Sequence, residues 1–374
     1  MSNVVIVTPF FLPRLNGIAF STLSHGKSLS DLGFNVYIIS NSKFDAVDTF
    51  YKHIHIPIYG SGLPWNPVRG KKNLLHYNLS LLKPEYIFIE GWYSWGSHLV
   101  KFLKKYCNRI VLISHGSKYV TNDFNIIALI KKIGYFIYDY LFKKRTLKFF
   151  SAITLLSDYE DSARFNEVRF CKLNKIKYFI LPNIGIINSK NKPHVDPKKN
   201  FNSASLAIIG EMCINKNQIG LMSNLINSTK LKRIIFYYPS ENSYSVKLKE
   251  IYNNNGKIKI DYFVGYNRDQ ILTRINTISL LGIGSYTEAQ PLVLLDSISI
   301  GIPFVSTKVG CISSIDGGLL SDMPDFFKSV DSILSDYEVY QDLSNKGLNF
   351  YQLNHSSQAM NIIFKNITNE LSQF

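Results

Sequence analysis

Short apolar runs rich in β-branched and aromatic residues alternate along this chain with stretches long enough to form helices. NVVIVT (3–8) opens the series, and a helix-like stretch of about 18–32 ends before Gly33. NVYIIS (35–40), HIHIPI (53–58), YIFIE (86–90), RIVLIS (109–114), SAITLL (151–156) and KYFILP (177–182) read as further strands. The run 187–203 is polar, carries two prolines and has no hydrophobic period, so it reads as an interdomain linker. A second alternation follows it: ASLAIIG (204–210), RIIFYY (233–238), KIKIDYF (257–263), TISLLGI (277–283) and PFVSTKV (303–309). The last fifty residues read as helical. The pattern predicts an α/β chain with two parallel sheets covered by helices. Its expected parts are an N-terminal Rossmann-like domain (1–186), the linker (187–203) and a C-terminal Rossmann-like domain (204–355). A final helix (356–374) is placed to pack back on the first domain. Ligands of such sheets bind beyond the carboxyl ends of the strands, and in a two-domain chain that points to the cleft between domains.

With 374 residues the chain is long enough for two such cores, and 46% hydrophobic with 18% charged residues fits a globular protein. Met1 leads into a strand without a basic leader, so a cytoplasmic protein is expected. The most lipid-like stretch, 126–142, is interrupted by Lys131, Lys132 and Asp139 and does not read as a spanning helix. Four cysteines without paired spacing read as reduced, packed thiols. The charge is uneven. Residues 1–187 hold 24 basic and 11 acidic residues, net +13, whereas 188–374 hold 18 and 16, net +2. The excess peaks in 101–148, with 11 basic and 2 acidic residues, and suggests an anionic surface or partner for the first half.

The stretch SYTEAQPLVLLDSISIGIPFVSTKVG (285–310) carries the sharpest signal. Pro291 fits the first turn of a helix, Gly301 its C-terminal stop, and Pro303 prevents continuation. Glu288 then lies just before the helix and Asp296 within it. Eight helical residues rise roughly 12 Å, on the order of the length of a nucleotide sugar. The free N–H groups of the helix start, at Leu292 and Val293, favour a diphosphate between the two acids. The residues alone leave a second reading open, in which Glu288 complements the helix dipole and Asp296 is a solvated face position.

This stretch resembles the E-x7-E signature of retaining glycosyltransferases of the GT-B fold, in particular glycosyltransferase family 4. Glu288, Leu292, Asp296, Gly301, Pro303, Val305 and Gly310 stand in the family's order and spacing, while Ala289, Asp296 and Cys311 replace a glycine, a glutamate and a glycine. The resemblance implies two Rossmann-like domains facing across a cleft. Glu288 would meet the transferred sugar, and Asp296 would meet the nucleoside. It also implies that Gly17, in the opening loop, passes close to the donor phosphate. His115, just past a strand end, would lie near the transferred sugar. LAIIGEMCINKNQIGLM (206–222) resembles the family's G-R-x4-K phosphate element, with Lys216 on the lysine position and Glu211 where the arginine is usual.

No D-x-D pair follows an apolar strand except in DYED (158–161), which reads as a helix start, and no metal-ligand spacing or Walker-type loop is present, so neither a metal nor a cofactor is expected. The resemblance implies a metal-independent retaining transferase. It would move a sugar from a nucleoside-diphosphate sugar to a glycan acceptor, with the departing phosphate helping to deprotonate the acceptor. The basic, aromatic segment, with Lys131, Lys132, Lys143, Lys144 and Arg145, suggests a lipid-linked acceptor and a protein held peripherally on the inner face of the membrane. Bacterial surface polysaccharide or lipopolysaccharide synthesis is the setting such an acceptor implies. The alternative is a catalytically degenerate GT-B protein acting as a partner or scaffold, favoured by Glu211. No nucleic-acid recognition motif is present.

Overall fold

The computed structural model describes residues 1–13, 16–43, 50–62, 66–92, 94–116, 133–134, 137, 144–158, 166–185, 195–252 and 256–373. These form two compact units: residues 1–183 with 357–374, and residues 184–356.

The first unit is built on β1 (Asn3–Val7), β2 (Asn35–Ser40), β3 (Tyr51–His55), a small hairpin of β4 (Ile58–Tyr59) and β5 (Arg69–Gly70), β6 (Tyr86–Glu90), β7 (Ile110–Ile113), β8 (Ala152–Leu155) and β9 (Tyr178–Ile180). All but the hairpin form one parallel sheet in the order β3-β2-β1-β6-β7-β8-β9. Every residue of β6, β7 and β8 is buried, which is why these strands read as unbroken apolar runs rather than as alternation. The run HIHIPI is not one strand. Pro57, which has no N–H for a ladder, separates β3 from the antiparallel β4.

Helix Gly17–Asp31 follows β1, and Asn16 caps it by accepting from the Ala19 N–H at 2.9 Å. Helix Ser357–Ser372 belongs to this unit although it ends the chain. Its Phe364 ring meets His25 and Phe88 edge-on, each at 5.5 Å, and the Tyr86 hydroxyl donates to the Thr368 carbonyl at 3.0 Å.

The second unit is built on β10 (Ser205–Ile209), β11 (Arg233–Tyr238), β12 (Lys259–Val264), β13 (Leu280–Ile283), β14 (Phe304–Ser306) and β15 (Gly318–Leu320), parallel throughout in the order β12-β11-β10-β13-β14-β15. Leu206, Ile234, Phe236, Leu280 and Val305 fill one core face, against Leu221, Val330 and Tyr340 from the helices. The short strand β15 escapes the sequence pattern because it has only three residues, none fully buried.

The stretch read as linker (187–203) is corrected in part. Pro197–Ser203 is a helix, and 186–194 lie outside the described residues. Asp196 caps the helix through the Lys198 and Lys199 N–H groups, both at 3.0 Å, and Pro197 occupies its first turn. The Phe201 ring packs on Tyr337 and Tyr340. One aromatic anchor and a good cap suffice here, and neither creates a hydrophobic period. Helix Leu292–Ser299 is preceded by Pro291, which sits at the capping position with extended backbone, one residue earlier than the pattern placed it. Gly301 ends that helix with φ +78°, and a Cβ there would come within 2.8 Å of the Ser344 hydroxyl oxygen.

Candidate functional site

In a doubly wound sheet, the strand order reverses at one place, and the loops beyond that place diverge to leave a crevice. The first sheet reverses between β1 and β6, and the second between β10 and β13. Both places gather charged residues.

At the second switch point, Lys216 follows β10 and Glu288 follows β13. Lys216 Nζ lies 2.5 Å from Glu288 Oε1, and the Ser285 hydroxyl donates to the same oxygen at 2.7 Å. Glu288 is 8% exposed and lies against a cleft also lined by Gly284, Gln218, Pro291 and Val293. Two hydrogen bonds lace the loops together: Tyr286 N–H to the Asn215 carbonyl at 2.9 Å, and the Asn215 side-chain amide to the Thr287 carbonyl at 3.2 Å. Gly310 (φ +57°) supports the Glu288 loop from below, since a Cβ there would stand 2.4 Å from the Glu288 carbonyl oxygen. Cys311 adds two bonds to the Ala289 carbonyl, from its N–H and its thiol, each at 3.1 Å, and burial pushes that thiol up to about 12. Leu292 and Val293 open the helix at the cleft and are half-buried. Glu211 is exposed; the loop uses its carbonyl, which accepts from Gln218 at 2.9 Å.

Asp296 is not a solvated face position. It is 4% exposed and forms a two-point pair with Arg268, whose Nε and NH2 donate to its two oxygens at 3.0 and 2.5 Å. The same NH2 donates to the Gly185 carbonyl at 3.1 Å. Burial pushes the Asp296 carboxyl up, against the pull of the Arg268 charge. Arg268 is missing from the sequence reading. Its signal is the capping box of Asn267 and Gln270, which starts a helix at the carboxyl end of β12, on the ligand side of the sheet.

At the first switch point, His115 follows β7, and its Nε2 lies 2.6 Å from Glu90 Oε2, at the end of β6. His25, in helix Gly17–Asp31, places Nδ1 2.7 Å from the other oxygen, Oε1. Burial pushes the Glu90 carboxyl up, but the charges and hydrogen bonds of His25 and His115 outweigh it and hold it at about 2. Sequence reading missed Glu90 and His25. An acid closing an otherwise apolar strand, YIFIE, is the signal that could have found the first. Gly17 is exposed at the start of its helix. Of the residues expected to face a membrane, Lys131, Lys132 and Lys143 lie outside the described residues, and so do the side chains of Lys144 and Arg145, which open helix Lys144–Leu147. Among the described residues no helix is long and apolar enough to cross a membrane.

No protein-family model matches this chain, and no curated protein matches it in sequence. Solved structures do match in shape. Sucrose-phosphate synthase from Thermosynechococcus elongatus aligns over 100% of both chains with TM-score 0.74 and 13% identity. HepE of Anabaena, in complex with UDP-glucose, aligns over 99% of this chain and 100% of its own, with TM-score 0.68 and 12% identity. WaaG, a glycosyltransferase involved in lipopolysaccharide biosynthesis, aligns over 96% of this chain and 99% of its own, with TM-score 0.62 and 13% identity. Two parallel Rossmann-like sheets, aligned over nearly their full length with such proteins, give this chain the GT-B fold.

Proposed function

We propose that the chain is a retaining, metal-independent glycosyltransferase that moves a sugar from a nucleoside-diphosphate sugar to a glycan acceptor. The observation that carries this reading is the grouping of Lys216, Glu288 and the start of helix Leu292–Ser299 around one cleft. An ammonium has three N–H donors, and Glu288 engages one, which leaves two for a diphosphate. The helix-start N–H groups of Leu292 and Val293 add partial positive charge for the same anion, and together they stabilise the leaving group. Glu288 keeps acceptor capacity for sugar hydroxyls. Gly17 would pass near the donor phosphate, and His115 would meet the transferred sugar. HepE was solved with UDP-glucose, a nucleoside-diphosphate sugar. The basic segment 101–148 favours a lipid-linked acceptor of surface polysaccharide or lipopolysaccharide synthesis and peripheral membrane association. WaaG acts in such a pathway.

Calorimetric titration with UDP, ADP and GDP, followed by hydrolysis of the corresponding sugar donors, tests the proposal. One diphosphate is expected to bind, and its sugar conjugate to be cleaved with the anomeric configuration kept. If none of the diphosphates binds, the donor-site assignment is wrong. Glu211 and the closed Asp296–Arg268 pair favour a second reading, a degenerate GT-B scaffold. It predicts no turnover with any donor and acceptor.

A further inference from the structure

The first switch point holds a charge arrangement that the donor chemistry does not require. Glu90 is fully buried, His25 is 2% exposed, and the His115 side chain, at 15%, is the member of the three that reaches solvent. The two rings face each other nearly parallel, with centroids 6.4 Å apart. The Phe364 ring meets His25 edge-on, with centroids 5.5 Å apart.

A carboxylate is an acceptor only, so each ring must turn an N–H toward it. That settles both neutral tautomers. His25 carries its hydrogen on Nδ1 and His115 on Nε2. In the neutral ring, Nδ1 of His115 is then the acceptor. Its ring is held by a carboxylate whose other oxygen His25 holds.

We propose that Glu90, anchored by His25, is a positioning residue that fixes the orientation and tautomer of His115, so that His115 meets a sugar hydroxyl with an unprotonated Nδ1. The proposal rests on the glycosyltransferase reading for the identity of that hydroxyl. The tautomers themselves do not depend on it. A buried polar group of purely structural use needs only a partner. Two rings of opposite tautomer on one carboxylate instead make an orienting relay, in which a change at His25 reaches His115 through Glu90.

The test has two arms. The first is long-range nitrogen–proton NMR of histidine-labelled protein at about pH 8, above the ordinary histidine range. It needs no substrate. His115 is expected as the Nε2–H tautomer and His25 as the Nδ1–H tautomer. In Glu90→Gln the amide offers one acceptor, so one of the two rings must change tautomer. Either the reverse tautomers in the native protein or two unchanged rings in Glu90→Gln would overturn the proposal, whatever the activity.

The second arm reads turnover. His25→Leu removes the donor that anchors Glu90, and His25→Asn puts an amide N–H close to where Nδ1 stands. His25→Leu is expected to lower kcat roughly tenfold to a hundredfold, the scale on which a small misplacement acts, with KM for the donor little changed. His25→Asn should recover most of that loss. Equal kcat in His25→Leu and the native protein, or a loss His25→Asn does not recover, would reduce the pair to a packing role. Absence of turnover in the native protein would count against the glycosyltransferase reading, and the tautomer arm would still decide the positioning role.

Discussion

The two switch points share a topology but treat charge in opposite ways. In the first unit the acid is sealed: Glu90 is fully buried, and both its oxygens are taken by histidines. In the second unit the acid is within reach: Glu288 shares one oxygen between Lys216 and Ser285, and the Lys216 side chain is 28% exposed. A sealed charge is held by fixed partners and is costly to disturb. A pair with one partly exposed partner, here Lys216, can exchange part of that partner's contacts for a ligand's. Under the proposed function, the first site would orient and the second would bind. Asp296 extends the comparison. It lies in the second unit but is sealed like Glu90, by Arg268.

That likeness is open to attack at its strongest point. Asp296→Ala leaves the Arg268 guanidinium buried beside the Gly185 carbonyl with its carboxylate gone. The expected cost is roughly 3–5 kcal/mol of stability, read by urea denaturation, and the double variant with Arg268→Leu should recover much of it. A cost below about 1 kcal/mol, the range of an exposed pair, joined to a clear loss of donor affinity, would place Asp296 at the nucleoside instead.

The half-open site should fail in rate rather than in stability. Glu288→Gln keeps the shape and the Ser285 contact but removes the charge beside Lys216. Turnover is expected to fall on the order of a hundredfold or more, with the melting temperature nearly unchanged. Unchanged turnover would end the catalytic assignment of Glu288.

How much of this was legible differs between the two sites for physical reasons. Both alternations of strand and helix were readable because parallel strands buried on both faces leave continuous apolar runs, as in β6 and β7. The helix after Pro291 was readable from Pro291, Gly301 and Pro303, and Glu288 and Lys216 were singled out by the resemblance of their local sequence to family motifs. The partners of His115 and Asp296 were not. Glu90 and His115 lie 25 positions apart, His25 and Glu90 lie 65 apart, and Arg268 and Asp296 lie 28 apart. Only the crossover of the sheet brings such residues together. The helix Pro197–Ser203 was hidden for another reason, since a capped helix of seven residues with one aromatic anchor has no period to read.

The sealed acid should also leave a mark in the acid range. Glu90 is held at about 2, below its ordinary 4.5. A carboxyl with a depressed pKa contributes stability that is complete above the unfolded value and is lost as pH falls through the folded one. The native protein should therefore lose stability steadily from about pH 4.5 toward 2. Glu90→Gln, less stable at neutral pH, lacks this component, so the gap between the two should narrow across that window. A constant gap in denaturant midpoints down to about pH 2 would show that Glu90 is not ionised in the fold.

The smallest expected effect falls on the residue that looked most anomalous. Glu211 stands where the resemblance calls for an arginine beside the diphosphate, and a fixed negative charge there would repel the donor. Its side chain is exposed, however, and the loop is held by its carbonyl, through Gln218, rather than by its carboxylate. An exposed charge acts on a ligand only through water and is screened within a Debye length, about 8 Å at physiological salt. Glu211→Ala should accordingly change stability by less than about 0.5 kcal/mol and leave donor affinity unchanged or slightly improved, most visibly at low salt. Glu211→Arg should strengthen donor binding modestly, most at low salt. A severe loss in Glu211→Ala with the fold intact would mean that the carboxylate touches substrate, and the contrast between a sealed orienting acid and a single half-open binding acid would have to admit a third.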